Sequence, residues 1–348
     1  MTSIPMSSVK LVQGRSGVSG ITATIFGASG FLGKYVVNKF GQIGSKCVLP
    51  YRGDEVDVRH LKLCGDLGVI NPVESSIRSL SDIEDAVAGS NVVINLLGKH
   101  FETSRWSYND IHGAFPGVLA TVCAEQGVER FVHVSAMGAA HDASSTWARS
   151  KILGEESVRE AFPGATIMRP ATIFGDEDKF LNRIAKLSQL LPVYPMGTDA
   201  AEAKQQPVYC DDVAQAIFNA ATASGNTAAG KTLDLAGPKV YTNRYIFEFV
   251  MDQIKEDSNL MLLPPSLMQA TAAAMGVIPN PWMSLDMDVR RKASDVVMPP
   301  GAASFEEVGM AASDLMVMED LADRYLLRFR KMSEFVDHEN ADVVSQPK

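Results

Sequence analysis

Short runs of apolar, β-branched residues alternate with longer stretches whose apolar positions recur at helical spacing along the first half of the chain. The run ITATIF, Ile21 to Phe26, carries no charge and ends on a glycine loop, which predicts a first buried strand. Phe31 to Phe40 follows the 3.6-residue period and breaks at Gly41 and Gly44, which predicts a helix. Further strands are predicted at about Lys46 to Tyr51, Gly68 to Val73, Asn91 to Leu97, Arg130 to Ser135 and from Ala165 to Arg169. Helices are predicted between them over Ser81 to Ala88, Ile111 to Gln126 and Thr146 to Ala161. Strand–helix alternation with short connections is the pattern of an α/β fold with a doubly wound parallel sheet. Past Ile173 the pattern loosens, with helices at Asp211 to Ala221 and Asn243 to Ile254 and one more strand at Thr232 to Ala236.

The first strand and helix are joined by GASGFLG, Gly27 to Gly33. Glycine serves three needs there: Gly27 permits the tight turn, Gly30 lets backbone approach a pyrophosphate, and Gly33 allows close helix–sheet packing. Ser29, Phe31 and Leu32 complete the loop, and the helix then points free N–H groups and its positive dipole end at phosphates. The second strand ends in Tyr51-Arg52, where folds that prefer NAD place an acid for the ribose 2′-hydroxyl. Arginine offers a fork of donors suited to a phosphate, so NADP(H) is expected over NAD(H), with Asp54 close by as the competing feature. Asp66 and Leu67, in the GDLG turn, are expected to meet the adenine. Asn95 to Gly98, at the end of the fourth strand and including Leu96, Leu97 and Gly98, are expected to pass under the adenine ribose.

Composition narrows the class. A net charge of −9 over 348 residues argues against nucleic acid as the main partner, because phosphate binding needs a basic face. The four cysteines, Cys47, Cys64, Cys123 and Cys210, form no CxxC pair and read as free thiols in a reducing compartment, not as a disulfide framework or metal site. No apolar run approaches the roughly 18 residues of a membrane span. Met1 to Gly53 holds no Asp or Glu, and the first residues are Ser-rich with only Lys10 and Arg15 charged, which suits either an organellar targeting segment or a plain tail.

The motifs GASGFLG, VVINLLG, RFVHVSA, the Lys151 helix, IMRPATIFG and PVYCDDVAQAI resemble the atypical and extended short-chain dehydrogenase/reductases from Gly20 to about Gly237. That resemblance implies a dinucleotide-binding Rossmann core at 20–177, after an extension at 1–19. A mixed C-terminal lobe at 178–330 takes core elements back at about 207–237, and a polar tail covers 331–348. It also adds Ser135, Lys151, Pro170 and Ile173 to the cofactor set. In that superfamily a Tyr-x-x-x-Lys pair shuttles a proton. Here Trp147 stands four residues before Lys151, and an indole N–H is a donor only. Lys151 can still hold a nicotinamide ribose, Ser135 is a strand-end hydroxyl, and His133 reads as a core histidine.

A narrower likeness covers about Gly14 to Gly197 densely and thins beyond, through GRSGVSG, FGASGFLGKYVVN, PYRGDE, GVERFVHVS, REAFPGATIMRPATIFGDEDKFLN and LPVYPMG. These segments resemble the NADPH-binding accessory subunits of mitochondrial NADH:ubiquinone oxidoreductase, respiratory complex I. The resemblance implies a peripheral subunit on the matrix side of the inner membrane, with other complex I subunits as partners and membrane contact left open. Its tightly held NADPH would support structure or assembly and would not feed the electron chain. The competing expectations are a free NADPH-dependent reductase or epimerase that borrows a hydroxyl from Tyr209 or Tyr194, and a redox-sensing regulator of the same fold. Eleven of the 16 methionines fall between Met251 and Met332, with Met261, Met268 and Met275 seven residues apart beside Leu267 and Val277. Methionine adapts to irregular partners, so this lobe is expected either to dock neighbouring subunits or lipid, or to pack as an ordinary core or lid.

Overall fold

Alternate residues of the predicted strands enter two different cores, which is why those runs are continuously apolar. Ala23, Ile25, Val92, Ile94, Val132 and Val134 face one layer of helices, while Phe26, Val93 and Phe131 face the other. The computed structural model describes residues 17–223, 227–257, 259–275 and 285–330. Its strands β1 (Thr22–Phe26), β2 (Lys46–Tyr51), β3 (Ile70–Glu74), β4 (Val92–Asn95), β5 (Arg130–Val134) and β6 (Thr166–Pro170) pair in parallel, and Thr232–Leu235 returns to extend the sheet beside β6. The order runs Thr232–Leu235, β6, β5, β4, β1, β2, β3. The direction of winding reverses between β1 and β4, and such a switch point opens a crevice at the carboxyl ends of the strands.

Helix α1 (Phe31–Gln42) packs Val36, Val37 and Phe40 against the Cys210–Thr222 helix on one face of the sheet. The helices Leu80–Val87, Phe115–Glu125 and Thr146–Ala161 cover the other. The segment predicted as one helix from Ile111 begins instead as a π turn, Asn109–Ala114. Pro116 has no N–H to give the His112 carbonyl, so the first turn widens and Phe115 N–H bonds Asp110 O. The freed carbonyl takes the closest helix crossing in the fold: a Cβ on Gly154 would stand 1.8 Å from His112 O.

A second core fills the C-terminal lobe, where Phe174, Leu181, Tyr194, Phe247, Val250 and Leu326 are buried among the helices Leu181–Leu190, Asn243–Ile254 and Met318–Leu326. Tyr194–Gly197 and Leu260–Leu263 form a parallel two-stranded ribbon that the sequence pattern did not predict. The methionine row divides: Met268 is buried on Ala272 and Val289, while Met261 is exposed with Leu262 and Leu267. Val277, the targeting-style first 16 residues and the 331–348 tail lie outside the described residues.

Candidate functional site

The glycine loop sits at the crevice with little room to spare. Gly27 is left-handed at φ +83°, and a Cβ there would meet Leu96 C at 3.0 Å and Leu97 N at 3.1 Å. Gly30 N–H donates to Gly27 O at 3.0 Å. A Cβ on Gly33 would stand 2.4 Å from Gly27 O and 2.6 Å from Ala28 O, so the helix could begin here only with glycine. Helix α1 opens at Gly30 with no side-chain cap and no acid in its first turn, which leaves its N–H groups and positive end available to an anion. Ser29 and Gly30 are exposed, and Phe31 and Leu32 are half-buried. Leu96, Leu97 and Gly98 follow β4 directly against this loop, with Leu97 N–H held by Asn95 Oδ1 at 3.1 Å.

Lys151 reaches the same crevice from the Thr146–Ala161 helix. It is buried, donates to Val134 O at 3.3 Å, and its ammonium would lie 3.7 Å from a Cβ on Gly98. Burial first, then the nearby Arg291 charge, pulls its pKa down to about 8. Trp147 is also buried: its indole N–H donates to Lys99 O at 2.8 Å, and the Arg291 guanidinium lies 4.0 Å from the ring centroid. The tyrosine in the Trp147 cluster is Tyr108, whose hydroxyl donates to His100 O at 2.7 Å. Tyr194 is buried on Phe247 in the C-terminal core, and Tyr209 packs at a tilt on Phe174, so neither joins the Trp147 cluster. His133 is fully buried, its Nδ1 3.2 Å from the Asn95 amide, and burial pushes its pKa down to about 3, so the ring is neutral. Pro170 closes β6, and Ile173 begins a two-residue strand paired with Val208–Tyr209.

The adenine side needs a correction. Asp66 and Leu67 precede β3, at its amino end, whereas the glycine loop lies at the carboxyl ends. They neighbour the far end of α1: a Cβ on Gly41 would stand 2.2 Å from Cys64 O. Twelve helical residues, about 18 Å, separate that end from the loop. Asp66 Oδ1 accepts Leu67 N–H, and the Leu67 side chain is wholly exposed, so the GDLG motif is turn chemistry. The residue that β3 delivers to the correct edge is Ser75, whose N–H donates to Tyr51 O at 2.9 Å. Ser75 lies two residues past the predicted third strand, so the direction of that strand is signal enough to find it. Arg52 stands exposed at the end of β2, beside Trp106. Also missed were His112, Ser150, Asp286 and Arg291; the last two lie some 140 residues from the helix they touch, and no local signal marks them.

Among the described residues four buried side-chain polar atoms lack a partner: Ser75 Oγ, His133 Nε2, Ser135 Oγ and Asp234 Oδ1. The first three lie towards the carboxyl ends of β3 and β5, on opposite sides of the glycine loop. Buried polar groups are normally hydrogen-bonded, so three orphans along one edge fit an elongated polar ligand. With the glycine cradle between them, these residues fit a nicotinamide dinucleotide.

Comparison with known proteins agrees with this geometry. The NAD dependent epimerase/dehydratase family matches residues 23–236. The chain is 40% identical to mouse "NADH dehydrogenase (ubiquinone) 1 alpha subcomplex subunit 9, mitochondrial" over 87% of this chain and 79% of that one. The Arabidopsis thaliana protein of the same name is 37% identical over 91% and 80%. Among solved structures, Citrobacter triphenylmethane reductase complexed with NADP(H) superposes with a TM-score of 0.67 at 14% identity, covering 87% of this chain and 99% of that one, which is a likeness of fold. The chain therefore belongs to the NAD dependent epimerase/dehydratase family and, within it, to the family of NADH dehydrogenase (ubiquinone) 1 alpha subcomplex subunit 9.

Proposed function

We propose that this chain is a non-catalytic accessory subunit of mitochondrial respiratory complex I that holds an NADPH, bound peripherally on the matrix side of the inner membrane. Relatives at 37–40% identity named as mitochondrial subunits of that enzyme support the assembly and the compartment. No helix among the described residues is long and apolar enough to cross a membrane, which suits peripheral attachment.

The observation that carries the non-catalytic reading is Trp147. Proton shuttling needs a group that can release and regain a proton near pH 7. The residue one turn before Lys151 is an indole whose N–H is committed to Lys99 O and whose ring is covered by Arg291. In this reading Gly27, Ser29, Gly30, Phe31, Leu32 and Gly33 cradle the pyrophosphate, and Arg52 takes the 2′-phosphate. Leu96, Leu97 and Gly98 underlie the ribose, and Ser135, Lys151, Pro170 and Ile173 enclose the nicotinamide half. When bound, NADPH could supply a hydride; these residues bind and shield it.

The test is native purification from mitochondria, followed by identification of the released nucleotide and of the co-migrating proteins. Near-unit NADPH within a large membrane complex, with no NADPH oxidation by added carbonyl or quinone acceptors, is the expected result. A free protein that exchanges its nucleotide and turns over acceptors would return the reading to a reductase.

A further inference from the structure

Two arginines from different strand ends meet on one indole, and a lysine from a third strand end reaches the turn that carries it while lying over the Phe101 ring. Arg52 follows β2, Arg78 follows β3 and Lys99 follows β4, and Trp106 lies in the loop after Lys99. The Arg78 guanidinium is 4.1 Å from the Trp106 ring centroid and that of Arg52 is 5.6 Å away, both within cation–π range. The indole is itself fixed. Thr103 and Trp106 exchange backbone hydrogen bonds of 3.0 and 3.1 Å across a tight turn, and Arg78 Nη2 donates to Arg105 O at 2.5 Å. Lys99 Nζ caps the same turn by donating to Thr103 Oγ1 at 3.2 Å, and its ammonium feels Arg52. Among the described residues none of these three cations forms a direct ion pair with a carboxylate; Asp110 feels the Arg78 charge, but its carboxyl is held first by Ser107.

Such a gathering is unusual in a chain of net charge −9. Like charges drawn onto one ring repel each other unless an anion comes between them. Two guanidinium forks offer paired donors to a tetrahedral dianion, which a lone surface arginine does not.

We propose that Arg78 and Trp106 complete, with Arg52, a clamp for the adenosine 2′-phosphate, so that preference for NADP(H) over NAD(H) is set by a pair of arginines oriented on Trp106. The inference rests on the NADPH reading above and names residues that decide it. Trp106 acts as a positioning residue: it holds both guanidinium groups on the phosphate side of the crevice. Lys99 adds a third positive charge to the site.

The full chain, freed of nucleotide, is titrated calorimetrically with 2′,5′-ADP and with 5′-AMP, which differ only in the 2′-phosphate. The wild-type protein is expected to bind 2′,5′-ADP more tightly. Arg78→Ala should weaken 2′,5′-ADP about tenfold or more while leaving 5′-AMP unchanged, and Arg78→Gln gives the same readout if the alanine variant folds poorly. Trp106→Ala should act in the same direction, and Trp106→Phe should recover part of the loss because a ring still holds the guanidinium groups. Arg59→Ala, an exposed arginine on the short helix Val56–Arg59, is the control and should change neither affinity. If Arg78→Ala leaves the ratio intact while Arg52→Ala abolishes it, the clamp is wrong and the NADP(H) reading stands. If the wild-type protein does not distinguish the two ligands, both fall.

Discussion

Trp147 closes a ring of hydrogen bonds that leaves no proton free to move. Its indole N–H donates to Lys99 O at 2.8 Å, and Lys99 N–H donates to His112 Nε2 at 2.9 Å. That nitrogen must be an acceptor, so the imidazole proton sits on Nδ1 and is given to Ser150 Oγ at 3.0 Å. Ser150 then donates to Trp147 O at 2.7 Å. Trp147→Phe should therefore cost about 1–3 kcal/mol in urea denaturation, because it leaves Lys99 O without its donor. Trp147→Tyr alone should yield no NADPH oxidation, since Arg291 still covers the position; measurable turnover would overturn that view. Two buried histidines set a pH dependence. Burial holds His112 at about 2 and His133 at about 3, well below the ordinary 6.5. Above pH 6.5 folded and unfolded chains are both neutral at these sites and nothing is lost. As pH falls below 6.5 only the unfolded chain takes up protons, so stability should drop by about 1.4 kcal/mol per pH unit for each histidine. Denaturation midpoints between pH 7 and 5.5 check this, and His112→Gln should remove its share of the slope.

The helix carrying Trp147 and Lys151 is held at its start by a group remote in sequence and along its length by a neighbouring strand. At its start Asp286 accepts Ser145 Oγ–H at 2.8 Å, Thr146 N–H at 2.7 Å and Trp147 N–H at 2.8 Å, a cap and a dipole partner supplied by the C-terminal lobe. The same turn, Leu285–Arg291, delivers Arg291 to the indole. Asp286→Ala should cost about 1–2 kcal/mol and, in limited trypsin digestion, speed cleavage at Arg290 and Arg291. Nearer the far end Glu155, almost wholly buried, receives Arg169 of β6 through contacts of 2.6 to 3.1 Å. Glu155→Ala removes the bidentate partner of a guanidinium that is a quarter exposed and still feels Asp234, and should destabilise by about 1.5–3 kcal/mol, measured by chemical denaturation. The helix itself was legible from its period: Thr146 to Ala161 is predicted and found. Its partners were not, because periodicity reports which face is buried and not what buries it.

Across the molecule, one loop ties the nucleotide crevice to the C-terminal lobe. Phe31 of the glycine loop lies on Gly175, where a Cβ would stand 3.0 Å from the ring. The loop that follows is organised by buried Asp178, which accepts the N–H groups of Gly175, Phe180 and Asn182 and the hydroxyl of Tyr325 in the last helix. Arg328 adds bonds of 2.7 Å to Asp176 O and Asn182 Oδ1. Nucleotide bound to the folded form alone stabilises the chain by about 4 kcal/mol at a thousandfold excess over Kd. Removing it should therefore lower Tm by several degrees and raise amide exchange in the last helix as well as in the glycine loop. A shift confined to the glycine loop would show that the two cores respond separately.

Local rules of sequence determine much of this protein. The strands of the main sheet follow from continuous apolar runs, since a strand buried on both faces tolerates no polar alternation. The glycine loop follows from the spacing of Gly27, Gly30 and Gly33, and the structure gives the reason most sharply at Gly33, where a Cβ would collide with backbone. The second strand is read to its last residue, so Arg52 follows β2 directly. Tertiary structure decided what depends on the direction of a strand or on contacts far along the chain. Asp66 and Leu67 are expected at the ligand edge, but they precede β3, so the parallel sheet carries them to the opposite edge and brings Ser75 instead. The Tyr194–Gly197 and Leu260–Leu263 ribbon, the Asp286 cap and the Arg291 cover join segments roughly 65 to 145 residues apart. Hydrophobic period is a property of neighbours in sequence. Capping, charge cover and the gathering of arginines on Trp106 are properties of neighbours in space.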